Sequence, residues 1–323
     1  MLECKIKGTG CCVPQSVVKN HDLTKIVDTS DEWIISRTGI KERRISKGED
    51  TSYLASMAAM NALNSANLSP LDIDIIIVAT TTQDNLIPSC GCMVQKNIGA
   101  KNAFAFDVFA ACTGFIYALN IADKFIKSGA AKNVLVIGAE VLSRVIDWSD
   151  RSTCILMGDG AGACVLSRST ERGIISIYNG SDGTMGDALI IPGIKMPNPF
   201  YKYEKIEKSY LRMDGKKIFK FAVGVIEKLV IKIIKENNMD IEQIDYIVPH
   251  QANYRIIEFA AKKLNIPLSK FYMNLDKYGN TSAASIPIAL DEMAKKGILK
   301  KDNKIIIVGF GGGLTYGAAL INW

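Results

Sequence analysis

The side chains best suited to covalent chemistry in this sequence include Cys112, which follows the apolar run 107–111 and precedes a helical pattern of apolar residues. This arrangement predicts a thiol at or near the N-terminus of a helix. The helix dipole and free backbone N–H groups there favour the thiolate, which is the reactive form of cysteine. A buried cysteine without partners would instead be a small core residue. Whether Cys112 is a nucleophile therefore depends on partner residues elsewhere in the sequence.

Two polar residues are candidate partners for this thiol. His250 comes directly after a predicted strand that ends in Ile247-Val-Pro, and loops beyond strand ends are where α/β folds place ligands and catalytic groups. A structural histidine would fit the same position. The other histidine, His21, lies in a polar stretch typical of a surface or capping residue. Asn280 stands in a turn before a helical pattern, where it either caps the helix or faces the Cys112 site.

A glycine-rich segment, residues 309–317, follows the last long apolar run. Its spacing does not fit a dinucleotide-binding fingerprint, because Leu314 and Tyr316 occupy the positions of the third glycine. Consecutive glycines allow close approach of backbone and can supply N–H donors to an oxyanion. A flexible turn after a strand is the alternative.

An internal repeat indicates which elements position these residues. Residues 67–77 resemble residues 238–248, and residues 134–138 resemble residues 305–309, each at an offset of 171. Leu119 and Leu290 share this offset within two helical patterns. By the same offset Ala283 corresponds to Cys112, so the turn carrying Asn280 begins the helix equivalent to the one that follows the thiol.

Each half alternates short apolar strands with helical patterns, which predicts an α/β fold with sheets covered on both faces. Two stacked halves would form five layers, αβαβα. We place the halves at residues 1–171, with the cysteine, and residues 172–323, with the histidine and asparagine. Residues 183–217, rich in Gly, Pro, Met, Tyr and Lys, are predicted to be an insertion or long loop of the kind that lines a substrate entrance.

Composition excludes several classes of protein. The chain has 323 residues, of which 48% are hydrophobic and 22% charged, with a net charge of +6. These values fit an ordinary globular chain and favour acidic ligands or partners, but the basic residues are scattered and do not indicate nucleic acid. No apolar run approaches the length of a membrane span. The eight cysteines form neither a dense disulfide framework nor a zinc motif, which predicts a reducing compartment and no structural metal.

Four segments together resemble the β-ketoacyl-[acyl-carrier-protein] synthase III family over nearly the whole chain. They are residues 107–115 around Ala-Cys-Thr-Gly-Phe, residues 250–257 beginning His-Gln-Ala-Asn, residues 279–285 beginning Gly-Asn-Thr-Ser, and residues 310–317 beginning Phe-Gly-Gly-Gly. The resemblance implies a thiolase-like five-layer fold built from two duplicated halves. It also implies a homodimer.

The resemblance further implies the initiating condensation of type II fatty-acid synthesis, in which an acyl-CoA, usually acetyl-CoA, and malonyl acyl carrier protein give a 3-oxoacyl carrier protein, CoA and CO2. Cys112 would attack the primer thioester. His250 and Asn280 would donate hydrogen bonds to the enolate formed by decarboxylation. The backbone amides of Cys112 and Gly312 would form the oxyanion hole. Neither a cofactor nor a metal is needed, since CoA enters as part of the substrate.

Binding residues follow from the same resemblance. The segment with Trp33 and Arg37 resembles the family segment in which Trp and Arg sandwich the CoA adenine, and Arg151 and Asn253 match other CoA-contacting positions. Without that context, Trp33 would be read as a buried aromatic residue. The positions that match the basic surface facing the acidic carrier protein are Lys220, Arg255, Lys262 and Lys263. Lys262 and Lys263 would otherwise be solvated helix charges.

Two features of the primer and acceptor remain open in the sequence. Ile87 occupies a primer-pocket position where some relatives carry Phe from the partner subunit, so a branched or longer primer is possible. Related condensing enzymes that make quinolones, polyketide starters or long ketones share the Cys, His and Asn set.

A nucleotide-binding oxidoreductase or non-catalytic nucleotide-binding protein is a second hypothesis, but it leaves all three residues unexplained. The expected compartment is bacterial cytoplasm, or plastid stroma if a transit peptide has been removed.

Overall fold

The computed structural model describes residues 2–193, 199–200 and 210–323. Its strands are β1 (Glu3–Cys12), β2 (Val17–Lys19), β3 (Glu42–Arg44), β4 (Ile75–Ala79), β5 (Phe104–Val108), β6 (Asn133–Val141), β7 (Asp159–Ser169), β8 (Ile174–Ser181), β9 (Leu189–Ile190), β10 (Arg212–Met213), β11 (Tyr246–Pro249), β12 (Lys304–Gly311) and β13 (Thr315–Asn322). Its helices are α1 (Asn20–Leu23), α2 (Asp31–Thr38), α3 (Thr51–Ala66), α4 (Cys90–Ile98), α5 (Gly114–Lys127), α6 (Arg151–Cys154), α7 (Gly215–Glu236), α8 (Tyr254–Leu264), α9 (Leu275–Tyr278) and α10 (Ser285–Lys295).

Two mixed sheets form the framework, and they have the same strand order. The first is β1-β7-β6-β4-β5, and the second, read in the matching direction, is β8-β13-β12-β11. In each sheet the first three strands pair antiparallel and the next pair is parallel. Strands β8, β11 and β12 each begin 171 residues after β1, β4 and β6. The repeat found in the sequence is therefore a repeat of structure.

The side chains of the buried strands alternate between layers, as the two-residue period of a strand requires. In β4, Ile75 and Ile77 join the central cluster around α5 and α10, whereas Ile76 and Val78 face α3 and α4. The second sheet packs its other face against α7 and α8. The layers are thus helices, sheet, helices, sheet, helices, and the predicted αβαβα fold is confirmed.

The first sheet approaches the central layer closely at a glycine in β6. A Cβ added at Gly138 would lie 2.2 Å from the carbonyl oxygen of Ala283. Only glycine allows this contact between the first sheet and the turn before α10. The contact holds the second half's turn against the first half's strand.

Strands β7 and β8 flank the predicted boundary at 171/172, and the division into residues 1–171 and 172–323 stays a prediction. The predicted insertion at 183–217 falls partly outside the described residues, which omit 194–198 and 201–209. Its described parts contain the short pair β9–β10, and α7 begins within it at Gly215. Among the described residues, no helix is long and apolar enough to cross a membrane.

Candidate active site

Cys112 lies in a single 3-10 turn, Ala111–Thr113, between β5 and α5. Ala111 has a φ of +45°, a left-handed conformation that folds the chain sharply into the helix. Gly114 begins α5, and a Cβ there would lie 2.9 Å from the Cβ of Ala79, so this turn packs directly on the first sheet. The Cys112 side chain is 8% exposed and lines a cavity of about 870 Å³.

Asn280 is held by its backbone and by one end of its side chain. Its N–H donates to the carbonyl of Leu156 (2.8 Å), and its carbonyl accepts from the N–H of Gly158 (2.9 Å). The side-chain Oδ1 accepts from the N–H of Ser282 (2.9 Å). The Nδ2 group is the remaining side-chain donor of Asn280. Asn280 lines the same cavity as Cys112.

His250 follows β11, and its backbone N–H donates to Val308 in the neighbouring strand (2.8 Å). Its Nδ1 lies 2.7 Å from the hydroxyl oxygen of Ser285, the first residue of α10. That oxygen also accepts from the N–H of Gln251 (3.4 Å). When the Ser285 hydroxyl donates to Nδ1, the ring hydrogen lies on Nε2 and is available as a donor, and His250 lines the same cavity as Cys112.

Burial controls the ionisation of both groups. It lowers the pKa of His250 to about 3, so the imidazole is neutral near pH 7. It also raises the pKa of the Cys112 thiol to about 12, although a hydrogen bond with the Ser282 side chain lowers that pKa. The sequence predicts that the helix N-terminus favours the thiolate, whereas burial opposes ionisation by raising the pKa of the thiol. Cys112 and the neutral imidazole of His250 line the same cavity.

The glycine-rich segment forms the tight connection between β12 and β13. A Cβ added at Gly311 would lie 2.7 Å from the backbone N of Cys112, so glycine allows the close approach predicted from the sequence. Gly312 lines the cavity next to Cys112. Since the segment leads into a strand and not a helix, it is no dinucleotide-binding loop.

The fold and these motifs can now be compared with known proteins. Residues 106–183 match the family model described as 3-oxoacyl-[acyl-carrier-protein (ACP)] synthase III, and residues 234–323 match its C-terminal counterpart. The chain is 56% identical over 323 residues to the β-ketoacyl-[acyl-carrier-protein] synthase III of Clostridium acetobutylicum, covering 100% of this chain and 99% of that protein.

The chain belongs to the β-ketoacyl-[acyl-carrier-protein] synthase III family.

Solved structures agree with this membership. The 3-oxoacyl-[acyl-carrier-protein] synthase III of Aquifex aeolicus superposes with a TM-score of 0.93 at 50% identity, covering 99% of this chain and 100% of that one. The priming β-ketosynthase of the R1128 polyketide biosynthetic pathway gives 0.92 at 33% identity, covering 99% and 96%. The protein is a condensing acyltransferase that catalyses the initiating condensation of type II fatty-acid synthesis. The oxidoreductase hypothesis is wrong.

The residues that the synthase family predicts for CoA lie on α2, on α6 and at the N-cap of α8. The guanidinium of Arg151 lies over the ring of Trp33, 5.1 Å from the ring centroid, and donates to the carbonyl of Asp28 (2.8 Å). Asn253 lines the cavity, and its Nδ2 donates to the carbonyl of the exposed Arg37 (3.1 Å). Trp33 and Arg37 lie one turn apart on α2, and Asn253 links this helix to the lining of the cavity. Their CoA-binding roles stay predictions.

The predicted carrier-protein residues of the synthase lie on α7 and α8. Lys220 is exposed on α7, and Arg255 is half-buried at the start of α8. Lys262 pairs with Glu258 (3.3 Å) and Lys263 with Glu227 of α7 (3.0 Å). Ile87, predicted for the primer pocket, is 89% exposed and does not line the cavity of its own chain.

Two polar residues near the site were missed in the sequence. Ser285 stands inside a recognised motif, but only the structure shows it against His250. Glu140 is fully buried behind the cavity wall. Its signal was available, since it is the acid in the otherwise apolar or neutral run 133–141. Among the described residues, no cluster of His, Cys, Asp or Glu could hold a metal ion.

Proposed function

We propose that this synthase transfers a short acyl group from acyl-CoA, acetyl-CoA being the expected primer, to Cys112 and condenses it with malonyl acyl carrier protein. The observation that carries the proposal is the meeting of a buried thiol and two neutral donors, His250 and Asn280, in one cavity. Such a site suits charge that develops on thioester oxygens, because preorganised donors in a dry cavity stabilise an oxyanion strongly.

In the first half-reaction, the Cys112 sulfur attacks the acyl carbonyl carbon and the bond to the CoA sulfur breaks. The thiol proton leaves with CoA, so no net charge remains on the protein. The backbone N–H groups of Cys112 and Gly312 would hold the tetrahedral oxyanion. Gly311 permits this geometry, because its lack of a side chain lets β12 lie against the Cys112 backbone.

In the second half-reaction, malonyl acyl carrier protein loses CO2 and the electron pair of the broken carbon–carbon bond forms an enolate. His250 Nε2–H and Asn280 Nδ2–H would donate to the enolate oxygen. The carbanion attacks the acyl carbon on Cys112, and as the 3-oxoacyl product forms the sulfur leaves as a thiolate that takes one proton from solvent. The low pKa of His250 suits this role, because a neutral imidazole donates a hydrogen bond without giving up its proton.

The surfaces around the cavity support the remaining substrates. Trp33 and Arg151 offer an aromatic face and a cation to the CoA adenine, with Arg37 and Asn253 beside them. The exposed cations of α7 and α8 suit an acidic carrier protein. The expected compartment is bacterial cytoplasm or plastid stroma, and the proposed reaction needs no nucleic acid, membrane, metal or separate cofactor.

A homodimer is supported by the free edge of the first sheet. Strand β5 is the edge strand, and Phe104 and Phe109 beside it are 54% and 63% exposed. Leu86 and Ile87 are 80% and 89% exposed. An apolar sheet edge of this kind usually pairs with another chain. A partner there would bring its own Ile87 to a primer pocket.

Mass spectrometry after incubation with a series of acyl-CoA primers tests the proposal. We expect a stable acyl adduct on Cys112, fastest with acetyl-CoA, followed by its consumption when malonyl acyl carrier protein is added. Faster acylation by branched or longer primers would move the enzyme toward the second candidate, a priming synthase of the polyketide type, which the similarity to the R1128 enzyme favours. No adduct with any primer would contradict the nucleophile assignment.

A further inference from the structure

Glu140 is a buried acid that the condensation chemistry described above does not use. It lies near the end of β6, is fully buried, and has apolar strand neighbours. Within the described part of the chain, no basic group lies within ion-pair distance of it. Burying an unpaired carboxylate is unfavourable unless hydrogen bonds replace its hydration.

The replacement comes from five donors on three threonines and one serine. Thr81 donates to it from its N–H (3.1 Å) and its hydroxyl (3.0 Å). The hydroxyls of Thr82 (2.6 Å), Ser282 (3.1 Å) and Thr80 (3.4 Å) complete the set. The Thr82 oxygen already accepts from the N–H of Val141 (2.9 Å), so its own proton is directed at the carboxylate. The Thr81 N–H can only donate and the four hydroxyls can donate as well, so these groups can replace the hydration of an ionised carboxylate, although burial raises the pKa of Glu140.

These bonds connect the walls of the active-site cavity. Thr81 and Thr82 line the cavity in the loop after β4, and Ser282 lines it from the other half. The Ser282 N–H in turn donates to the Oδ1 of Asn280 (2.9 Å). Ser282 has a φ of +49°, a left-handed conformation that a non-glycine residue adopts only when its surroundings enforce it. The Glu140 carboxylate holds this turn through its hydrogen bond with the Ser282 hydroxyl.

The duplicated half shows that the fold itself does not require an acid there. At the offset of 171, the residue equivalent to Glu140 is Gly311 in β12. Both strands run to the same level of their sheets, and each meets the opposite half's turn: β6 meets the Ser282 turn, and β12 meets the Cys112 turn. The equivalent position therefore holds a carboxylate in β6 and none in β12, so the strand can form without the acid.

We propose that Glu140 is a positioning residue for the condensation step, holding the Ser282 turn so that the Asn280 amide stays aimed into the cavity. Asn280 contacts the reacting atoms, and Glu140 acts through Ser282. The inference rests on the proposed roles of Cys112 and Asn280. Wild-type acylation and condensation must therefore be measured first, and failure there counts against those roles and not against Glu140.

The decisive variant is Glu140→Gln, which keeps the shape and turns one acceptor into a donor facing other donors. We expect condensation with malonyl acyl carrier protein to fall on the order of 10- to 100-fold, because small displacements of a catalytic group have effects of this size. Acylation by acetyl-CoA is expected to change less than threefold, on the order of error in such comparisons. Alkylation of Cys112 by iodoacetamide should become faster, since the negative charge of Glu140 raises the pKa of that thiol.

A control is Asp291→Asn, another buried acid-to-amide change. Asp291 is 1% exposed in α10, accepts from the Thr9 hydroxyl (3.0 Å), pairs with Lys295 (2.7 Å) and does not line the cavity. It should lower the melting temperature without changing the ratio of the two half-reactions. If Asp291→Asn changed that ratio as Glu140→Gln does, or if Glu140→Gln slowed both half-reactions equally with no gain in alkylation, the role would be purely structural and the proposal overturned.

Ser282→Ala keeps the proposal testable should Glu140→Gln fail to fold. The equivalent turn carries Ala111 at a φ of +45°, so alanine is tolerated in this conformation. Ser282→Ala removes the hydrogen bond to Glu140 and the one to the Cys112 thiol, so acylation should fall somewhat and condensation more. Where both variants fold, the double variant should be no worse than the more affected single one, as expected for two residues that act in series. Unchanged condensation in Ser282→Ala, or fully additive losses, would overturn the proposal.

Discussion

The turns at Ala111–Thr113 and Ser282–Ala284 have the same backbone in the two halves, yet their side chains differ completely. Both precede a central helix, and both begin with a residue in the left-handed region, at φ +45° and +49°. The first carries the Cys112 thiol at its centre. The second has Ala283 at that position, with polar groups on Asn280 and Ser282 instead. The duplicated fold thus provides two equivalent turns beside one cavity, and under the proposed roles one turn does the covalent work and the other the electrostatic work.

The first prediction removes the chemistry of one turn. Cys112→Ala should lower overall turnover by about 10⁴-fold or more, because the nucleophile of the first half-reaction is lost. Acyl-enzyme measured by mass spectrometry should vanish. Adding Ala283→Cys, which places a thiol on the equivalent turn, should not restore it, since Ala283 is 1% exposed and does not line the cavity. Recovery of acylation in the double variant would show that the turns are chemically interchangeable.

The second prediction removes the chemistry of the other turn. Asn280→Ala should lower condensation on the order of 100-fold or more, the usual loss when one oxyanion donor is removed. Acylation should survive, because Cys112 and its backbone amide are untouched. Acyl-Cys112 should therefore accumulate in the presence of malonyl acyl carrier protein, with little CO2 released. A folded variant that cannot be acylated would instead assign Asn280 to the geometry of the nucleophile.

Which of these features the sequence predicts depends on how local they are. The offset of 171 residues is visible in the order of the residues, so the duplicated fold and the equivalence of Cys112 and Ala283 could be predicted. The ionisation state of Cys112 could not, because desolvation depends on atoms from both halves. The contact of Arg151 with Trp33 joins distant segments and also needs the assembled fold.

The third prediction compares equivalent glycines in β6 and β12. Gly138→Ala should lower stability by about 3 kcal/mol, because its Cβ would lie 2.2 Å from the backbone oxygen of Ala283 and neither chain can move alone. Gly309→Ala places its Cβ 3.2 Å from the Cδ1 end of Ile116, which can rotate. That variant should stay within about 1 kcal/mol of wild type, since alanine also reduces unfolded-state entropy. Equal melting temperatures for the two variants would contradict the asymmetry.

The fourth prediction separates desolvation from the helix N-terminus at Cys112. With a pKa near 12, the thiolate fraction and the rate of alkylation by iodoacetamide should rise about tenfold per pH unit from pH 6 to 9. Cys92 is exposed and should be replaced by Ser for this experiment, while the fully buried Cys154 should remain unlabelled. Acetyl-CoA should protect Cys112. A plateau near pH 7 would mean that the turn stabilises the thiolate more than burial opposes it.

The smallest expected effect concerns two outer helices, α8 and α4. Arg255→Glu on α8 should raise KM for malonyl acyl carrier protein about three- to tenfold at low salt, because a rim charge acts on association. The effect should fade at high ionic strength as screening grows. Acylation by acetyl-CoA should not change. The matched control is Lys96→Glu, which makes the same reversal at an exposed position of α4. If both reversals raised KM equally, net charge and not a docking surface on α7 and α8 would govern carrier-protein binding. If neither reversal raised KM at low salt, Arg255 would have no part in docking. The two halves would then differ in their roles at the cavity but not in carrier-protein binding.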